Sequence, residues 1–286
     1  MQRAHIARVT EDGRVLDGDS IVVAEHASTP VVASNGEEFL AVFQPLGANG
    51  TAMTAPLVAV LVPQNGTAIR TMTLQSDVYA NARLDALLPL RDGYALVWQK
   101  PLTPPCFKLC TSFEEHLSLI DAAGKVTADH AFAFAGTFLA ASPSGDNVML
   151  ATLRDQSIVI QTIGPDGTVL TDARTPSSQR RGTGARLVTR PGGGHMLLYT
   201  SYTPAIPPEP WWHAAVQAIL IEPDGTPSVE VSVADATTLN DAVPAFGTVW
   251  MTYGVRWFPQ PNAHDGSVGR AFIKDVGTRR RAASAH

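Results

Sequence analysis

The chain has 286 residues, with 21 Lys and Arg against 26 Asp and Glu, for a formal charge of −5. That balance offers no basic surface of the kind a nucleic-acid partner requires, and no run of about 18 apolar residues is present to form a membrane-spanning helix. Charged residues make up only 16% of the chain, below the usual ~25%, which predicts large buried faces; 23 glycines and 21 prolines predict a turn-rich, all-β chain.

Taken from the N-terminus, strand periodicity begins by His5 and leaves no room for a signal peptide. The expected location is exported (extracellular, periplasmic or cell-surface), with the signal outside this sequence. The run His5–Thr10 meets the first of six turns that end in glycine: Asp12-Gly13, Asn65-Gly66, Ala123-Gly124, Asp166-Gly167, Asp224-Gly225 and Val276-Gly277. The intervals between these glycines are 53, 58, 43, 58 and 52 residues, a spacing that marks a repeat architecture. Asp-Gly and Asn-Gly between alternating runs predict two-residue hairpin turns, where positive φ is required. A second hairpin falls inside each interval, at Asn35-Gly36, Asp92-Gly93, Ser144-Gly145, Gly192-Gly193-Gly194 and Phe246-Gly247.

The repeating unit is therefore four antiparallel strands in about 50 residues, the pattern of a β-propeller blade. Small apolar segments such as Pro30–Ala33 suit the crowded position nearest the axis, which makes them the first strand of each blade. Complete blades are predicted near 29–75, 82–133, 136–175, 183–233 and 238–285, within a single domain of residues 1–286. Residues 4–24 hold an orphan two-stranded hairpin, as expected for the remainder of a six-bladed or larger propeller, the alternative being five blades that close with the hairpin packed on an edge.

In this frame every long insertion lies between the second and third strands, and so on one face: Pro45–Ala55, Lys100–Phe113, Tyr202–Trp212 and Arg256–Gly266. Insertions collected on one face of a repeat array mark the binding face. Three of the four combine proline with aromatic residues. Phe107 follows Pro104-Pro105, Trp211-Trp212-His213 follows Pro207-Pro208-Glu209-Pro210, and Trp257-Phe258 precedes Pro259-Gln260-Pro261. Stiff loops bearing large, amphipathic rings suit a carbohydrate or a protein ligand. The same rings could instead roof the hydrophobic blade ends.

Chemistry is sparsely signalled. Asp85 and Asp241 stand near the starts of first strands, where two carboxylates at a channel mouth could flank a glycosidic bond. This is the alternative of a glycoside-hydrolase-like enzyme; a structural module of a larger surface protein is a third reading. Cys106 and Cys110 are spaced C-x-x-x-C in one insertion and could form a loop staple, remain free thiols or bind a metal. No metal or cofactor motif is present, and the histidines are scattered with no H-x-x-x-H pair.

The blade text resembles a repeat of large bacterial exported proteins and lipoproteins. In it a small apolar strand, Asp/Asn-Gly and an aliphatic-Val-Trp run precede an alternating strand ending in Asp-x-Asp-Gly. Ala86–Gln99 and Ala215–Gly225 match best, and Ser157–Thr168 matches the second half. Trp98 keeps the closing tryptophan, while Phe43, Leu153 and Ser201 replace it elsewhere. The resemblance implies a propeller and carries no catalytic residue, so the reading is a non-catalytic binding propeller without a cofactor.

Overall fold

A computed structural model describes residues 4–276 apart from 8–9, 11, 13, 17, 19, 46–52, 65–68, 103–112, 134–135, 177–181, 191–192, 204–212, 236–237, 246–247 and 257–268. Every regular element among the described residues is a β-strand. The chain divides into two compact units.

The first unit comprises Met1–Ala133 with Gly145–Val148 and Gly164–Thr168. It begins with a two-stranded sheet of β1 (Ala4–Ile6) and β2 (Ile21–Ala24). Two four-stranded antiparallel meanders follow. One is β3 (Val31–Ser34), β4 (Glu38–Phe43), β5 (Thr54–Pro63) and β6 (Arg70–Tyr79); the other is β7 (Arg83–Leu90), β8 (Gly93–Pro101), β9 (Phe113–Asp121) and β10 (Val126–Phe132). The first strands β3 and β7 lie against each other.

Middle strands are buried on both faces, which explains their near-continuous apolar runs. Leu40, Val42, Leu57, Ala59 and Leu61 pack with Tyr94, Leu96 and Trp98 of the next sheet. The opposite face of the same strands, Phe43, Val58, Val60 and Val62, packs with Ala4 and Ala27. The fourth strand β10 alternates between half-buried and exposed residues, as the outermost strand of a layered stack should.

The second unit comprises Phe134–Ser144, Met149–Ile163 and Val169–His286. Its sheets are β11 (Thr137–Ser144), β12 (Asn147–Arg154), β13 (Ser157–Ile163) and β14 (Val169–Pro176), then β15 (Gly182–Thr189), β16 (His195–Thr203), β17 (His213–Ile221) and β18 (Val231–Asp235). The last holds three described strands, β19 (Thr238–Ala245), β20 (Thr248–Arg256) and β21 (Gly269–Val276); the stretch expected to supply its fourth lies outside the described residues. Here too the first strands are neighbours, β15 touching both β11 and β19. Met149, Ile158 and Ile160 pack with Leu197, Tyr199 and Ile219, and Met196, Leu198 and Val216 with Leu239, Val249 and Met251.

The glycine turns differ from the expected two-residue type. At Gly124, Gly167 and Gly225 φ is +84°, +80° and +87°. The glycine N–H bonds the carbonyl three residues back, and the N–H of that same residue bonds the carbonyl of the residue after the glycine, as in Gly124 N–H to Asp121 O with Asp121 N–H to Lys125 O. These are three-residue loops, a type I turn followed by a left-handed residue. The aspartate before the glycine keeps ordinary φ and uses its carboxylate instead: Asp166 accepts the Thr168 N–H at 3.1 Å and Asp224 the Thr226 N–H at 2.9 Å. The two-residue form with positive φ occurs at Asp155 (+47°) and Gln156 (+61°), the short link joining β12 to β13.

Candidate functional site

Adjacent sheets are stapled at the end where the long connections leave. Gln44, fully buried just past β4, donates through Nε2 to Ala55 O (3.1 Å) and Tyr79 O (3.0 Å). Thr200 of β16 plays a related part in the second unit, its Oγ1 accepting the Leu239 N–H at 2.7 Å. Gln44 also accepts a backbone N–H at the entry of β7, and that entry carries a cluster of polar groups.

There Leu84 pairs with Trp98 and Ala86 with Val97, leaving Asp85 as an extra residue in a β-bulge. Bulges re-aim side chains at strand ends. Arg83 is opposite Gln99, and Gln99 is opposite Glu115. One face at the end of this sheet thus presents Arg83, Gln99 and Glu115 in a row, with Asp85 inserted beside it. The Arg83 guanidinium is 4.3 Å from the centre of the Phe113 ring, on the same strand face as Glu115.

The electrostatics of the row are unusual. Burial pushes the Asp85 carboxyl up to about 6, and the nearby Glu115 charge adds to the rise; a hydrogen bond from Gln99 and the charge of Arg83 pull the other way. Burial likewise raises Glu115, with Glu114 adding and His116 opposing. Oδ2 of Asp85 is buried with no hydrogen-bond partner among the described residues. A carboxylate oxygen left this way is costly to the fold.

The residues expected from the sequence are distributed as follows. Asp85 lies in this cluster. Asp241 pairs with Thr252 in β19, whose own bulge falls at Asn240, between Leu239 and Asp241. By register Asn240 therefore corresponds to Asp85, and Asp241 to Ala86. The residue brought beside Asp85 is Glu115, from the third strand of its own sheet. His213 opens β17 opposite Thr203. Trp211, Trp212, Trp257, Phe258 and Phe107 lie outside the described residues, as do Cys106 and Cys110.

No family model matches the chain, and no curated protein does. Solved structures match over most of it. The β-propeller domain of the trilobed protease from Pyrococcus furiosus aligns with a TM-score of 0.50 at 12% identity, covering 88% of this chain and 68% of that one. A functionally unknown protein from Desulfotomaculum acetoxidans aligns at 0.52 and 12% identity, over 90% of this chain and 73% of that one. An acylaminoacyl peptidase aligns at 0.50 and 13% identity, over 88% of this chain and 38% of the peptidase. The fold is a β-propeller. It is built of four-stranded antiparallel blades, with β1–β2 as an N-terminal half-blade. At these identities the likeness extends to the fold alone.

On the blade's other face, β9 carries a second constellation that sequence reasoning missed. Trp98, fully buried, donates through Nε1 to Ser118 Oγ at 2.8 Å, and Ser118 donates to Asp129 Oδ1 at 2.5 Å. Asp129 Oδ2 is 3.0 Å from His116 Nδ1, and Glu114 Oε2 is 2.9 Å from His116 Nε2. The imidazole also lies against the indole, with ring centroids 4.9 Å apart. Burial works against a charge on His116, but its bonds to Asp129 and Glu114 outweigh burial and raise its affinity for a proton. The available signal was the alternation Glu114-x-His116-x-Ser118 on one strand.

Proposed function

We propose that residues 1–286 form one propeller domain, exported and without chemistry of its own, that binds a carbohydrate at the end of the blades from which the long connections leave. The observation that carries this reading is the buried, unpartnered Oδ2 of Asp85 beside Gln99, Glu115 and Arg83. A sugar offers several hydroxyl donors and acceptors in a small volume, together with an apolar ring face. The row supplies acceptors in two carboxyls, an amide with both roles and a guanidinium donor. By sequence Phe107 falls between the second and third strands of this same blade, and Trp211, Trp212, Trp257 and Phe258 fall in the corresponding segments of later blades, with His213 just after one of them; a ring in such a segment would offer a sugar a stacking surface.

The test is a glycan array followed by titration calorimetry on the captured sugar, with Asp85→Asn, Glu115→Gln and Phe107→Ala checked by thermal melting. Binding should weaken at least tenfold in variants that melt normally. A blank array, or a captured sugar whose affinity all three changes leave untouched, removes the reading; capture of a protein in place of a sugar moves the ligand to the other class.

A second reading is favoured by the carboxyl pair itself. Asp85 raised to about 6 is protonated at mildly acidic pH, and it neighbours another raised carboxyl, the environment in which acid and base roles separate. Release of a chromogenic aglycone, lost at least a hundredfold in Asp85→Asn, would establish a glycoside hydrolase.

A further inference from the structure

Strand β9 is shared between two sets of polar groups. Phe113 and Glu115 point to the face that holds Asp85 and Arg83, as the pairing of Glu115 with Gln99 and the stacking of Arg83 on Phe113 require. Glu114, His116 and Ser118 point to the opposite face, where they bond one another, Asp129 and Trp98. Asp129 sits on β10 opposite Ser118 and also takes a hydrogen bond from Gln75 of β6, in the preceding blade. His116 is 5% exposed, so its ring has no water shell to replace a lost partner.

We propose that His116 is a proton-operated latch: charged, it clamps β9 to β10 and, through Asp129, to β6, and thereby positions Glu115 beside Asp85; neutral, it releases the Glu115 end of β9. The charged imidazole donates from both nitrogens, to Asp129 and to Glu114. The neutral ring donates from one only, and the abandoned carboxylate must then find water. Glu114 is the exit for the proton, since its side chain is 43% exposed. The other charges around the ring are few. Lys100 of β8 is paired opposite Glu114, Glu115 is adjacent on β9, and β6 brings the uncharged Gln75 with Asp77 exposed two residues on. None of these replaces the proton between Asp129 and Glu114. His116 is a positioning residue; its consequence for ligand rests on the binding reading above, whereas the latch itself does not.

The experiment uses the full chain without ligand. The His116 ring and the Asp85 and Glu115 carboxyls are followed by NMR from pH 5 to 9, with amide exchange of residues 113–118 corrected for its intrinsic pH dependence. The expected result is a His116 midpoint above the ordinary 6.5. At that same midpoint, exchange at Glu114–His116 should accelerate at least tenfold, and both carboxyl signals should show a second inflection. Asp129→Asn should lower the midpoint and His116→Gln abolish the second inflection. The wild-type titration needs neither variant to fold. A midpoint below 6.5, unchanged protection across the midpoint or carboxyl signals blind to it would each overturn the latch. Loss of all glycan binding with these responses intact would overturn the proposed function and leave the latch standing.

Discussion

Gln44 and Ala82 join two blades: the buried Gln44 Oε1 accepts the Ala82 N–H at 3.1 Å, at the point where the chain enters β7. One side chain therefore satisfies three backbone groups drawn from β5, the end of β6 and the start of the next blade. Gln44→Leu keeps the volume and removes all three bonds. It should destabilise by about 3 kcal/mol, since each orphaned buried group costs roughly 1 kcal/mol or more. Urea denaturation checks it, and Thr200→Val, which removes the bond to Leu239, should cost about a third as much.

Asp85 should make the fold less stable as pH rises. Its folded-state pKa of about 6 lies above its ordinary value of 3.8, so the native state binds more protons between these values and stability falls across that interval. Asp85→Asn removes this fall. The stability difference between variant and parent should shift in the variant's favour by up to about 3 kcal/mol between pH 3.5 and pH 7.5. Paired thermal melts at the two pH values decide it; a constant difference would mean that Asp85 is not perturbed.

The His116–Asp129 pair should show the opposite dependence at each limit. The His116 contribution is complete below its unfolded value of 6.5 and is lost as pH rises through its raised folded value. Asp129 is held below 3.8, because its bonds to His116 and Ser118 outweigh burial, so its contribution is present above 3.8 and is lost as pH falls through the lowered value. Asp129→Ala at pH 5.5 should cost about 3 kcal/mol by leaving a buried imidazolium short of its partner. The cost should shrink by pH 9, measured by urea denaturation at both pH values.

The link Asp155-Gln156 invites a stabilising change. Gln156 holds φ +61° in a two-residue turn between β12 and β13, a conformation in which glycine carries no Cβ penalty. Gln156→Gly should stabilise by about 0.5–1 kcal/mol, read as a small rise in Tm. A drop would show that the Gln156 side chain contributes more than its backbone strain costs.

Much of the fold was legible because glycine is the cheapest residue at positive φ: Gly124, Gly167 and Gly225 announced their turns. The turn type was not legible, because Asp166 and Asp224 use their carboxylates to bond the backbone ahead of them rather than adopting the left-handed conformation. Small residues marked β3 as a first strand, and in the structure β3 lies at one end of its sheet and contacts β7, the end strand of the next. At the site, Asp85 was visible as a carboxylate at a strand entry. Glu115 was not, because its approach depends on a bulge that shifts register by one residue and on a partner strand some thirty residues later. The His116 network was hidden for a related reason: its members are ordinary alone and acquire meaning only through side-chain geometry across three strands.

The two-faced character of β9 has a consequence for how this protein tolerates change. A saturation scan across residues 113–118 should yield a sawtooth. Under the proposed binding role, odd positions 113 and 115 would score by loss of sugar binding with the fold retained, and even positions 114, 116 and 118 by loss of fold or of its pH response. Neutral drift would then have almost no foothold along this strand, and a homologue without the proposed binding would be recognised by variation confined to positions 113 and 115.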